Sequence, residues 1–157
     1  MDPLNDTLPT FQFSSTSQEN YLNRLNTMDW SLIPAVLHAI RELDDDDIWR
    51  VSQQIIEHEK LPSTSFLLSI SPAYLRTTCI RACLLIFTVT RGRVVPHQFQ
   101  LEDALETIKG NDSIVIAGTG HGKTLCIVIP LILQPRMICI VVSPLKRLQT
   151  MQVCNNN

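Results

Sequence analysis

What this sequence lacks narrows it first. Its longest apolar stretches, Cys79 to Val89 and Leu125 to Leu133, fall short of the roughly 20 residues that a membrane-crossing helix needs. No secretory signal stands at the start either, where Met1 to Glu19 is polar and holds Asp2, Asp6 and many Ser and Thr residues. Both absences point to an intracellular chain that does not enter a membrane. Charge is sparse at 18% of residues, against 45% hydrophobic, a balance that suits a globular domain of ordinary size within 157 residues. The five cysteines, Cys79, Cys83, Cys126, Cys139 and Cys154, are odd in number and sit mostly in apolar runs, as reduced core thiols do. Cys79 and Cys83 share a helix face, but no second pair or histidine follows at zinc-ligand spacing.

The charge that is present is unevenly placed. Residues 1–90 carry 6 Lys and Arg against 11 Asp and Glu, a net −5, whereas residues 91–157 carry 7 against 4, a net +3. A polyanionic partner would therefore meet the C-terminal part. The acidic part reads as helical after a polar lead over residues 1–20 that composition marks as disordered. Leu32, Ile33, Val36, Leu37, Ile40 and Leu43 form one apolar stripe, and Ile48, Val51, Ile55 and Ile56 a second on a helix expected from Asp47 to Lys60. The four aspartates Asp44 to Asp47 read as the cap and acidic first turn of that second helix rather than as a metal site. A Ser-rich connection follows, and Pro72 then opens a longer helix, apolar nearly all round from Cys79 to Val89. Arg91-Gly92-Arg93 is the expected boundary between this helical region, residues 21–91, and a C-terminal unit, residues 92–157.

Glycine is scarce, five in all, yet three of the five crowd into Ala117-Gly118-Thr119-Gly120-His121-Gly122-Lys123-Thr124. A short apolar run, Ser113 to Ile116, precedes this stretch and reads as a buried strand; an apolar helix follows it. A strand feeding a tight turn into a helix leaves several backbone N–H groups pointing at one spot, and the positive end of the helix lies behind them. Glycine lets the backbone approach an anion closely. Lys123 would then reach the β and γ phosphates of a nucleotide, and the Thr124 hydroxyl would join the shell of a magnesium ion. This is a phosphate-binding loop, with His121 as a loop-tip side chain.

Ala117 stands where the usual pattern has its first glycine. The resulting A-x-T-G-x-G-K-T resembles motif I of superfamily-two helicases. Two further segments agree with the resemblance. Pro96 to Gln100 resembles the adenine-reading segment of RecQ-like helicases, with Gln100 as the reader and Gln98 as the competing choice; the helix Leu101 to Ile108 would hold it in place. The β-branched run Ile138 to Val142 reads as a second buried strand, and with Ser143-Pro144-Leu145-Lys146-Arg147 it resembles motif Ia. The resemblance covers roughly residues 92–153. It implies an α/β fold, a partial RecA-like parallel sheet preceded by the helical region. It also implies binding of ATP and Mg²⁺ by Gln100 and residues 117–124, with Lys123 catalytic, and contact with nucleic acid, DNA rather than RNA, through Ser143, Pro144, Lys146 and Arg147. A nuclear location goes with that partner. His97 departs from the family by standing where an arginine is common.

No D-E-x-H or D-E-A-D segment follows motif Ia, and no second lobe supplies an arginine, so the chain is expected to be a truncated motor segment that binds nucleotide without hydrolysing it. The competing readings are another P-loop enzyme, such as a nucleotide kinase, and a helical interaction module with a degenerate loop.

Overall fold

A computed structural model describes residues 15–140. Seven α-helices form among them: α1 (Ser15–Thr27), α2 (Ile33–Glu42), α3 (Asp45–Ile55), α4 (Thr64–Ser69), α5 (Tyr74–Val89), α6 (Gln98–Lys109) and α7 (Thr124–Leu133), with single turns of 3-10 helix at Trp30–Leu32 and His58–Lys60. Helix α1 thus begins inside the stretch that composition reads as a disordered lead. Residues 1–14 lie outside the described residues.

Local chemistry sets the helix ends. At α3 the Asp44 carboxylate accepts from the Asp47 N–H at 2.7 Å, and Asp45 to Asp47 place three negative charges in the first turn, where the helix dipole favours them. The Ser-rich connection is itself partly helical. Ser63 caps α4 through the Phe66 N–H at 3.3 Å, and Phe66 and Leu67 are buried. Six residues are too few to show a period in the sequence, which is why α4 does not stand out there.

Helix α5 is the centre of the core. Its residues from Cys79 to Thr88 are buried except for Arg81, and α2, α3, α6 and α7 all pack on it. A helix apolar on every face needs cover on every face. Thr88, which donates to the Leu84 carbonyl at 2.7 Å, pairs with the Tyr21 hydroxyl of α1 at 2.6 Å, so this polar pair between α1 and α5 is satisfied. One cluster of buried side chains runs from Ile40 through Leu84 to Leu105 and Ile129, across the boundary expected at residues 91–93.

That boundary is a tight turn. Gly92 N–H reaches the Phe87 carbonyl at 2.7 Å and Arg91 N–H the Thr88 carbonyl at 3.0 Å, which closes α5 in a Schellman pattern with Arg91 at φ 52° and Gly92 at φ 79°. Arg91 is held in that left-handed region by its side chain, which donates to the carbonyls of Asn26 and Met28 and lies 4.3 Å from the Trp30 ring centroid. A Cβ at Gly92 would collide with Leu22 of α1.

The expected partial parallel sheet is absent, and the fold is helical: among the described residues no strand forms. Ser113 to Ile116 and residues 138–140 carry no regular structure, and Ile114, Ile116, Ile138 and Ile140 are 91%, 94%, 88% and 84% exposed. The rest of the second run, residues 141 and 142, lies outside the described residues. β-branched runs favour a half-buried pleated surface, but a strand exists only through its partner's hydrogen bonds. Helices meet that need within themselves, and α5 to α7 bury their apolar faces on one another, leaving these two segments without a ladder.

Two outcomes follow from this packing. Gly92→Ala should cost about 2 kcal/mol in chemical denaturation, from the positive φ and the collision with Leu22, and Leu22→Ala in that background should restore part of the loss. Burial pushes the Cys79 thiol up to about 12, and burial together with neighbouring Cys79 pushes Cys83 up as well. A raised thiol pKa means that the folded chain keeps protons which the unfolded chain releases. This contribution is complete below about pH 9 and is lost as pH rises toward 12, so unfolding free energy measured by denaturant titration should fall across that window.

Candidate functional site

The site is built outward from the first turn of α6. Pro96 ends the preceding extended stretch, His97 takes the N-cap position at φ −74° and ψ 159°, and the helix begins at Gln98. Gln100, at the third helical position, folds back so that its Oε1 accepts from the His97 N–H at 2.8 Å, which is the returning half of a capping box. Its Nε2 donates to two carbonyls across a sequence gap of more than 20 residues, His121 at 3.1 Å and Gly122 at 3.0 Å. The side chain is 1% exposed. One buried amide therefore clamps residues 117–124 to α6. Readout of an adenine by Gln100 would draw on these same two N–H donors.

The loop itself turns on its glycines. Gly120 and Gly122 take φ 84° and 69°, in the left-handed region. A Cβ on Gly122 would lie 2.8 Å from Gln100 Nε2, and one on Gly118 would lie 2.9 Å from the His121 ring, which folds across it. Lys123 Nζ donates to the carbonyls of Ala117 and Gly118, both at 2.8 Å, so the ammonium sits within the mouth of its own loop. Thr124 is the first residue of α7 and is exposed. Among the described residues the backbone N–H groups of Thr119, Gly120, Gly122, Lys123 and Thr124 have no hydrogen-bond partner. Unpartnered donors at a helix start, beside a cation, are the chemistry that an anion site needs. The residue types present, N–H donors without partners, a lysine ammonium and an exposed threonine at the helix start, fit a magnesium-bound polyphosphate.

A second clamp escaped the sequence reading. Asp103, one turn after Gln100 on α6, accepts from the Ser113 hydroxyl and so ties α6 to the segment that enters the loop. Its carboxylate also faces Cys126 in the first turn of α7. Burial first, then the Asp103 charge and hydrogen bond, raise the Cys126 thiol's pKa and keep it protonated. The spacing of three from Gln100 was the available signal, since it puts both side chains on the face of α6 that meets the loop. Ser143, Pro144, Lys146 and Arg147 lie outside the described residues.

Residues 97–156 match the DEAD/DEAH box helicase family. The match begins at the N-cap of α6 and takes in the Gln100 clamp and the whole loop, which supports an ATP-dependent, helicase-type segment there. The helices before residue 97 lie outside it. No curated protein and no solved structure matches the chain.

Gln100→Ala should destabilise the fold by about 2 kcal/mol, because it strands the His121 carbonyl and the His97 N–H and leaves the Gly122 carbonyl with the Leu125 N–H alone. Lys123→Ala, at an exposed position, should stay within about 0.5 kcal/mol of the parent. Thermal or urea denaturation of the two variants checks both values.

Proposed function

We propose that the chain carries the ATP-binding and nucleic-acid-binding segment of a RecQ-like helicase, the start of the first lobe of its motor. The observation that carries this reading is the loop: five N–H groups without a partner among the described residues and the Lys123 ammonium within one eight-residue stretch at the start of α7, clamped to α6 by a buried glutamine. The RecQ-like subtype draws its support from the alanine-started motif at Ala117, Gln100 upstream of it, and the Val-Val-Ser-Pro-Leu block downstream.

In this reading Lys123 exchanges its two carbonyl partners for β and γ phosphate oxygens, which need its charge more than neutral carbonyls do. Gly118, Thr119, Gly120, His121 and Gly122 shape the backbone around the anion, with Ala117 closing its base. Thr124 offers its hydroxyl to magnesium, which when bound neutralises phosphate charge. Gln100 sets the loop's distance from α6. Ser143, Pro144, Lys146 and Arg147 are the proposed contacts to a nucleic-acid backbone, DNA rather than RNA, and the net +3 over residues 91–157 suits such a polyanion. A DNA-bound motor segment belongs inside the cell, in the nucleus. Among the described residues no helix is long and apolar enough to cross a membrane. Nucleotide binding, without turnover, is the activity proposed for these residues.

Calorimetric titration with magnesium-ATP, with ATPase turnover recorded on the same sample, tests the proposal. The parent chain should bind without turnover, and Lys123→Ala should lose at least about tenfold in affinity while keeping its denaturation profile. Equal affinity in parent and variant would overturn the assignment, and a folded parent that binds no nucleotide would leave the helical interaction module in its place.

A further inference from the structure

A cavity of about 360 Å³ lies between α6, α7 and the segment that follows α7, and two cysteines line it, Cys126 in the first turn of α7 and Cys139 in that following segment. The course of the backbone brings the pair together. After Leu133 the chain turns, with the Gln134 N–H donating to the Pro130 carbonyl and the Met137 N–H to the Gln134 carbonyl, both at 2.9 Å, and Met137 and Cys139 return to the cavity that Lys123, Cys126 and Pro130 border. The two thiols have different surroundings. Cys126 is buried, and its S–H donates to the Asp103 carboxylate, which is also on the cavity wall. Cys139 is exposed, between the exposed Ile138 and Ile140 on a stretch without regular structure, so solutes reach it and no ladder fixes its sulfur. Cys79 and Cys83 are buried in α5, away from this cavity.

From this placement we propose that Cys126 and Cys139 form a reversible disulfide when the chain meets a peroxide, a modification site independent of the nucleotide reading. The Cys139 thiolate attacks one peroxide oxygen. An S–O bond forms, the O–O bond breaks, and the other oxygen takes up the proton that the thiol gave up and leaves as water or an alcohol. Sulfur is oxidised by two electrons to the sulfenic acid, and the peroxide is reduced. The Cys126 sulfur then attacks the Cys139 sulfur; an S–S bond forms, the S–O bond breaks, and the Cys126 proton leaves with that oxygen as a second water. A disulfide needs its Cα atoms within about 7 Å, a separation that an unladdered segment on the wall of so small a cavity can reach. The cross-link closes this segment over the cavity beside Lys123, and a thiol reductant reopens it.

Trypsin leaves every cysteine of the chain in a separate peptide, residues 77–81, 82–91, 124–136, 137–146 and 148–157, so mass spectrometry reads each pairing directly. The full chain is reduced, treated with hydrogen peroxide, blocked with a maleimide in denaturant and digested without reductant. The expected product is a link between peptides 124–136 and 137–146, formed within one chain as judged on a non-reducing gel and abolished by dithiothreitol. Cys126→Ser should stop the reaction at the Cys139 sulfenic acid, which dimedone traps, and Cys139→Ser should leave Cys126 free for the maleimide. Because the two cysteines are close in sequence, the parent is also oxidised in urea, where the yield of this link should fall severalfold and other pairings should appear. A link from 137–146 to 148–157 instead, a link between two copies, or Cys139 carried to the sulfinic or sulfonic acid while Cys126 stays free overturns the proposal. So does a folded parent in which both thiols stay free, or an equal yield in urea.

Discussion

One buried amide holds the candidate site together. Gln100 joins three backbone groups: the N–H of the α6 cap, the carbonyl of His121, and the carbonyl of Gly122, which also accepts from the Leu125 N–H. The loop's conformation follows from that join. Gly122 cannot carry a Cβ because Gln100 is there, and with Gly122 pinned, Lys123 is turned inward onto the carbonyls of Ala117 and Gly118. Asp103 does for the segment entering the loop what Gln100 does for its far side. The glycine-rich loop is thus an extension of one face of α6.

Behind that face stands α5. Because α5 is apolar all round, it demands cover from α2 and α3 on one side and from α6 and α7 on the other, and it merges into one core the two parts that charge and composition separate. The Arg91–Gly92 turn does not act as a hinge, since Arg91 is bonded to the α1 terminus and stacked on Trp30 while Gly92 lies against Leu22. The helices before residue 97 lie outside the family match, yet they supply the floor on which α6 and α7 rest.

The sequence displays most of this where the signal is local. The loop is legible because three glycines, a lysine and a threonine at fixed spacing have few other uses, and the stripes of α2 and α3 are legible because they are several turns long. Gln100 is half legible: its register with the loop marks it as part of the site, but only the fold shows that its donors meet Gly122 and His121. The sheet is the instructive failure. Ile114, Ile116, Ile138 and Ile140 carry every local mark of buried strands, and no local mark can report whether a pairing partner lies alongside. Short α4 fails in the opposite sense, its helicity coming from one serine cap and two buried side chains.

The four bare isoleucines also govern how the chain behaves in bulk. Apolar side chains fully open to water, on segments whose backbone lacks a ladder, attract their counterparts on other copies. That attraction strengthens with warming from the cold and with sulfate or phosphate salts, and weakens in dilute urea. Solubility of this protein is therefore governed less by its net charge of −2 than by two short irregular stretches, and it should depend on concentration and buffer salt far more than on pH.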